Sequence, residues 1–194
     1  MSIENIGRIV AIGASTGGIE ALEQVFSRLP EFIPPILLVV HLPNGFTKLY
    51  VARLSASYSY DFKEAVTGDT VERGRVLVAP AGQHMIVNLD RGKLVVECFT
   101  GEKVQYVIPS ADVLFESVAK VVQDKAVGVI LTGMGADGAR GLKKMREGGA
   151  STIGQDRETC VVYGMPKVAA EMGAVEHVVP IYHVAEKIMS LARH

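Results

Sequence analysis

Apolar residues along this chain follow two alternating patterns. Short runs rich in valine and isoleucine have the length and composition of buried strands. Seven such runs are RIVAI (8–12), ILLVV (36–40), RVLVA (75–79), MIVNL (85–89), LVVEC (94–98), AVGVIL (126–131) and EHVVP (176–180). Between them, apolar residues recur at helical spacing, as Ile19, Leu22, Phe26 and Leu29 do. The alternation predicts an α/β fold, with a doubly wound, mostly parallel sheet in a three-layer α/β/α sandwich.

The middle of the chain departs from this alternation. Residues 75–99 place several strands close together, and NLDRGKL (88–94) has the composition of a hairpin turn, which predicts an antiparallel hairpin inserted in the sheet. After it, Ser110 is predicted to cap a helix that continues to about Asp124. No repeat or linker marks a boundary, so residues 1–194 are expected to form one domain.

Composition and charge narrow the classes of function. Hydrophobic residues make up 48% of the 194 residues, and a net charge of −1 gives no general attraction to nucleic acid or an anionic membrane. Cys98 and Cys160 lie far apart without metal-ligand spacing, so we expect reduced thiols, no metal and no cofactor. MSIENIGR lacks the features of a signal peptide, and FIPPILLVVHLP is shorter than a membrane span. We therefore expect a cytoplasmic protein without direct membrane insertion.

Three polar residues follow three of the predicted strands. Ser15 lies in the turn GASTGG after the first strand, His41 follows ILLVV, and Asp137 lies in TGMGADG after GVIL. Ligands and chemistry in doubly wound sheets collect outside the carboxyl ends of the strands. Serine, histidine and aspartate placed there together would supply a nucleophile, a base and a group that orients the base.

The glycine-rich turn around Ser15 also allows a phosphate-binding interpretation. A dinucleotide fingerprint requires an acidic residue near the end of the second strand, where this chain has His41, and no lysine follows the glycines as in a P-loop. Residues 13–17 match G-x-S-x-G, but too few residues precede Ser15 for an α/β-hydrolase. A non-enzymatic flavodoxin-like or nucleotide-binding module that uses GASTGG as an anion-binding nest remains an alternative.

Each of the three residues also has a purely structural interpretation. Ser15 and Asp137 are compatible with helix N-caps, and His41 is compatible with a buried histidine of the core. His84 is the rival candidate for the base, and Asp156 is the rival candidate for the acid. The joint position of Ser15, His41 and Asp137 at strand ends favours the catalytic interpretation.

Six segments of the chain resemble, in order, the catalytic domain of the chemotaxis response-regulator protein-glutamate methylesterases. They are IGASTGGIEAL, HLPNGFT, VAPAGQHM, PSADVLFESVA, LTGMGADGARGL and GQDRETCVVYGMPKVAAEMGAVEHVVP. The resemblance implies that Ser15 is the nucleophile, His41 the general base and Asp137 the acid, with Thr16 and Met134 beside the developing oxyanion. It further implies hydrolysis of glutamate methyl esters on the cytoplasmic helices of chemoreceptors, with glutamine deamidation as a related activity.

The chain departs from the family pattern in three respects. Val40 and Leu42 flank His41 where the family often has glutamine and methionine, and Ile108 replaces an arginine that often precedes the Pro-Ser pair. By the resemblance, full-length members of the family have a receiver domain joined to a domain like this one. No receiver domain precedes Met1, so an excised or stand-alone domain is expected.

Phe46 and Tyr50 are candidates either for receptor docking or for the core. A general esterase for small substrates is another alternative.

Overall fold

The computed structural model describes residues 7–193, which form an alternating α/β chain. The strands are β1 (Ile9–Ala14), β2 (Ile36–Val40), β3 (Asp61–Glu64), β4 (Arg75–Val78), β5 (His84–Asp90), β6 (Lys93–Phe99), β7 (Ala126–Ile130), β8 (Ser151–Gln155) and β9 (His177–Val179). The α-helices are α1 (Gly18–Phe26), α2 (Phe46–Ser57), α3 (Ala111–Val121), α4 (Ala139–Glu147), α5 (Met165–Glu171) and α6 (Ile181–Ala192).

Seven strands form one parallel sheet in the order β3-β4-β2-β1-β7-β8-β9. Alternate residues of β1 point to opposite faces: Ile9 and Ala11 belong to the apolar cluster under α3, α4 and α5, whereas Val10 and Ile12 belong to the cluster under α1, α2 and α6. Both faces of the sheet are therefore covered, and the predicted α/β/α sandwich is confirmed.

Strands β5 and β6 pair antiparallel, as predicted, and the two central residues of their turn, Arg91 and Gly92, both have positive φ. The hairpin is inserted in chain order between β4 and α3, but its two strands form their own sheet. Its apolar face packs with α3 in one cluster. The hairpin therefore packs against helix α3 and does not pair with the central sheet. This packing places His84, the first residue of the hairpin, beside the N-terminus of α3.

Two strands of the sheet, β3 and β8, were not predicted. The sequence of β3 is DFKE, a polar edge strand, and that of β8 is STIGQ, in which small and polar residues replace the valine and isoleucine of the other strands. Helix α3 ends at Val121 rather than near Asp124, because a separate 3-10 turn covers Gln123–Lys125.

The segment considered as a signal peptide lies mostly outside the described residues. Within residues 7–193, no helix has both the length and the apolar character that crossing a bilayer requires.

Candidate active site

The residues that follow β1, β2 and β7 meet at the carboxyl edge of the sheet. Strand β1 lies between the other two, with Ala14 opposite Val40 of β2 and Gly13 opposite Ile130 of β7. The chain winds outward from β1 in one direction and from β7 in the other, so the strand order reverses between these two strands. A reversal of this kind opens a crevice at the carboxyl ends of the strands.

Ser15 lies in the turn between β1 and α1. Its backbone N–H donates to the carbonyl of Thr132 (3.0 Å), and its own carbonyl accepts from Gly18 (2.7 Å). The N-cap of α1 is Gly17, which has a φ of 76° and no capping side chain. Ser15 is therefore held by its backbone, and its hydroxyl is not used to cap the helix.

Gly133 brings the loop after β7 against Ser15. A Cβ atom on Gly133 would lie only 2.7 Å from the Ser15 Cβ atom, so the close approach of the two backbones requires glycine. Thr16 follows Ser15 and Met134 follows Gly133, and both residues are exposed. Within residues 7–193 the backbone N–H groups of Thr16 and Met134 donate no hydrogen bond. Two unused donors therefore flank the serine.

His41 is joined to Asp137 by a hydrogen bond of 2.9 Å between the imidazole Nε2 and the Oδ2 atom of the aspartate. The backbone N–H of His41 donates to the carbonyl of Ala14 (3.1 Å), which fixes it beside the turn that carries Ser15. Because Nε2 faces Asp137, Nδ1 is the ring nitrogen left to act on a serine. Within the described part of the chain, no hydrogen bond joins Ser15 to His41, and such bonds are often loose without substrate.

Asp137 is a buried carboxylate that accepts four hydrogen bonds. Besides His41, its donors are the Ser110 hydroxyl (2.5 Å) and the backbone N–H groups of Ala111 (2.6 Å) and Asp112 (3.1 Å). Burial by itself raises the pKa of Asp137, but the four hydrogen bonds outweigh it and hold the pKa below its ordinary value. The carboxylate also faces the positive end of the α3 dipole.

The alternative that Asp137 caps the helix after it is wrong. The N-cap of α4 is Gly138, with a φ of 88°, and Asp137 instead binds the N-terminus of α3. Ser110 does cap α3 as predicted, accepting from Val113 at 3.4 Å. Its hydroxyl serves both the helix and Asp137.

Asp112 is a second buried carboxylate in the same region, and the sequence reasoning missed its role. Its Oδ1 atom accepts from the backbone of Gly141 (2.8 Å), and its Oδ2 atom accepts from Arg140 (3.2 Å). Burial raises the pKa of Asp112 and outweighs the hydrogen bond from Gly141, while the neighbouring charge of Asp137 raises it further.

The two rival candidates do not reach His41 or Ser15. His84 is buried and bonded to Glu102 and to Ser110. Asp156 accepts from the backbone and hydroxyl of Thr159, forming a local turn after β8. The histidine and the acid that a hydrogen bond joins at the strand ends are therefore His41 and Asp137.

Both cysteines are free thiols. Burial is the main cause that raises the pKa of each thiol to about 11. Among residues 7–193, no group of three or more histidine, cysteine or acidic side chains has an arrangement that could hold a metal ion.

A cavity of about 450 Å³ opens beside His41. Residues 101–108 supply one wall, including Lys103 and the almost fully exposed Tyr106. Of the two docking candidates, Phe46 is 54% exposed, whereas Tyr50 is buried in the core.

A second cavity, of about 500 Å³, lies at the amino edge of the sheet, and none of the three strand-end residues lines it. The chemistry of the lining residues, rather than the size of a cavity, therefore identifies the site.

Fold and site together define a doubly wound α/β protein with serine, histidine and aspartate at the carboxyl edge of its central strands. The CheB methylesterase family model matches residues 10–188, and the chain belongs to this family.

Known proteins resemble most of this chain. A protein-glutamate methylesterase/protein-glutamine glutaminase of Sulfurimonas denitrificans is 48% identical over 188 residues, which are 97% of this chain and 53% of that protein. A second, from Syntrophomonas wolfei, is 49% identical and covers 95% of this chain and 54% of its own length. The crystal structure of the Thermotoga maritima CheB methylesterase catalytic domain superposes with a TM-score of 0.92 at 39% identity, covering 95% of this chain and 98% of that chain. The chain spans about half the length of the curated relatives it matches.

Proposed function

We propose that this chain hydrolyses γ-glutamyl methyl esters on chemoreceptors as a protein-glutamate methylesterase, with glutamine deamidation as a second activity. The observation that carries the proposal is the hydrogen bond between His41 and the buried, four-donor Asp137 beside the turn of Ser15. Membership of the CheB methylesterase family and the names of the relatives support the choice of substrate.

Ser15 attacks the ester carbonyl while Nδ1 of His41 accepts the proton of its hydroxyl. Positioned general-base help of this kind contributes about 10²–10⁴-fold to the rate. Asp137 keeps the Nε2–H tautomer in place and stabilises the imidazolium that forms. Protonated by His41, the leaving group departs as methanol from an ester or as ammonia from a glutamine amide. Water activated by the same histidine then releases the glutamate carboxylate from Ser15.

The backbone N–H groups of Thr16 and Met134 stabilise the oxyanion of the tetrahedral intermediate. Both donors are unused within residues 7–193 and flank Ser15, and one such donor is worth on the order of 10²–10³ in kcat. Because the donors are backbone groups, Thr16→Ala and Met134→Ala are expected to leave kcat for a small ester within about twofold of the parent.

The partner of this site is the cytoplasmic helical region of a methyl-accepting chemoreceptor, and the place of action is the cytoplasm. An ester on a receptor helix cannot enter a deep pocket, so an open cleft such as the one beside His41 suits it. In the full-length protein a receiver domain is the expected regulatory partner, because the matched relatives are about twice as long as this chain.

Methanol release from a methylated cytoplasmic receptor fragment tests the proposal. The parent chain is expected to release methanol and Ser15→Ala to release none, while Ser57→Ala, which removes an exposed hydroxyl from the end of α2, behaves as the parent. Release by Ser15→Ala at the parent rate would overturn the assignment of the nucleophile. A folded parent that hydrolyses only small esters would overturn the proposed substrate.

A further inference from the structure

His84 connects two parts of the site without touching the cleft itself. It is the first residue of β5, and only 2% of its surface is exposed. Its Nδ1 atom accepts a hydrogen bond from the backbone N–H of Ser110 (3.2 Å), and its Nε2 atom lies 2.9 Å from the carbonyl oxygen of Glu102. Packing against Phe99 and Gly101 fixes the plane of the ring.

These two bonds determine the tautomer of His84. A backbone N–H can only donate, so Nδ1 must carry a lone pair. A carbonyl oxygen can only accept, so Nε2 must carry the proton. The ring is therefore a neutral imidazole with one nitrogen accepting and the other donating, and each nitrogen serves a different segment of the chain.

The Nδ1 side leads to the catalytic pair. Ser110, held through its backbone by His84, donates its hydroxyl to Oδ1 of Asp137 (2.5 Å), and Oδ2 of the same carboxylate binds His41 (2.9 Å). Four residues are thus connected by hydrogen bonds from the hairpin to the candidate base, with Ser110 contributing both its backbone N–H and its hydroxyl. In a buried network of this kind each member fixes the orientation of the next.

The Nε2 side leads to the wall of the cleft. Glu102 lies at the start of the rim loop, which we define as residues 100–109. Lys103 and Tyr106 of this loop line the same cavity as His41. Within the rim loop, Val104 and Val107 exchange backbone hydrogen bonds, and the two residues between them have positive φ. Residues other than glycine seldom adopt such a backbone conformation, and it persists only when its surroundings hold it.

We propose that His84 is a positioning residue for the proposed hydrolysis: its Nδ1 atom sets Asp137 through Ser110, and its Nε2–H sets the rim loop that contacts the substrate. The inference rests on the proposed function for its consequence in catalysis. Its two halves are separable, because the two nitrogens bind different segments. The first half governs the chemical step, and the second governs substrate binding.

Two substitutions separate the halves. In His84→Asn the amide oxygen takes the place of Nδ1 and keeps the bond to Ser110, but nothing reaches Glu102. In His84→Gln the amide nitrogen takes the place of Nε2 and keeps the bond to Glu102, but the acceptor for Ser110 is lost. With the methylated receptor fragment, His84→Gln is expected to lower kcat about tenfold with little change in KM, and His84→Asn to raise KM about tenfold with little change in kcat.

Two measurements test the two halves of the proposal independently of enzyme activity. The downfield NMR resonance of the His41 Nε2–H proton, bonded to Asp137, should broaden or vanish in His84→Gln and persist in His84→Asn. Amide hydrogen exchange at Val104 and Val107 should accelerate in His84→Asn and stay as in the parent in His84→Gln. Equal effects of both substitutions on both signals, or no effect of either, would overturn the proposal. Absence of methanol release by the parent would instead refute the proposed function, and the two signals would still decide the role of His84.

Discussion

At the scale of single residues, the site depends on how closely two backbone segments approach. Gly133 packs on Ser15, where an added Cβ atom would lie 2.7 Å from the serine Cβ and 3.2 Å from its backbone nitrogen. It would also lie 2.3 Å from the sulfur of Met165, the flexible end of a side chain that can move aside at little cost. The Ser15 turn cannot move in the same way, because its backbone is bonded to Thr132 and to Gly18.

We therefore expect Gly133→Ala to lower kcat by about 10²-fold, because it displaces Ser15, the proposed nucleophile, relative to His41. Unfolding should become easier by only about 1–3 kcal/mol, the usual cost of overpacking. Gly173→Ala is the matched control: that glycine has a φ of 70° and open space around it at the end of α5, so its substitution strains the backbone away from the site. If both variants lose stability but retain parental kcat for a small ester, the contact between Gly133 and Ser15 does not position the nucleophile.

The sequence predicted the residues at the strand ends, but it did not predict what surrounds them. Ser15, His41 and Asp137 each follow an apolar run that ends abruptly, so their meeting at one edge follows from the parallel sheet. The partners of Asp137 come instead from the N-terminus of α3, more than twenty residues earlier in the chain. No local pattern marks such a contact, which explains why His84 was a rival base rather than a supporting residue.

At the scale of elements, helices α3 and α4 cap each other. Asp137, immediately before the N-cap of α4, accepts from the first backbone N–H groups of α3. Asp112, in the first turn of α3, accepts from the backbone of Gly141 in the first turn of α4. Each carboxylate therefore lies at the positive end of the neighbouring helix, and the exchange locks the two helices together beside the site. The capping signal of α3 was visible in the sequence, but the exchange between the two helices was not.

The two carboxylates have opposite effects on stability as the pH falls. The pKa of Asp137 is lowered, so its stabilisation is complete above the ordinary value of about 3.9 and is lost only at lower pH. The pKa of Asp112 is raised, so its charge opposes folding at neutral pH, and that cost disappears as the pH falls towards the ordinary value. The two ranges of pH do not overlap.

We therefore compare the parent with Asp112→Asn, whose amide oxygen still accepts from Gly141. Thermal unfolding midpoints measured from pH 7 down to about pH 4 should show the parent gaining on the variant, because only the parent carries the unfavourable charge. A parent midpoint that stays constant or falls relative to that of the variant as the pH falls would mean that Arg140 and Gly141 offset the burial of Asp112.

The sequence predicted the buried strands that are apolar throughout and missed a buried strand that is not. Strands β1, β2 and β7 are fully buried in the centre of the sheet, so valine and isoleucine mark them. Strand β8 is buried from Thr152 to Gln155, but its Gly154 lies against Val175, and its Gln155 accepts a hydrogen bond from the backbone N–H of Thr132. These requirements of packing and hydrogen bonding replace the apolar pattern.

At the scale of the whole molecule, the sheet separates two edges of different character. The carboxyl edge carries Ser15, His41 and Asp137, and apolar side chains stand exposed around them: Met134 is 73% exposed and Val161 is 68% exposed. Val161 packs on Gly17 in the turn of the serine, and the backbone of Met134 packs on Gly164. Exposed apolar side chains beside the proposed nucleophile Ser15 suit a large protein substrate that covers them.

This arrangement predicts a difference between large and small substrates. The double substitution Met134→Ser and Val161→Ser should raise KM for the methylated receptor fragment about tenfold, because it removes apolar area that only a protein substrate buries. Hydrolysis of a small activated ester should stay within about twofold, because the substitutions leave the backbone donors and the pair of His41 and Asp137 in place. Phe32→Ser provides the control, since Phe32 is 84% exposed at the amino edge and should affect neither substrate. Equal losses with both substrates would show that Met134 and Val161 support the chemistry rather than docking.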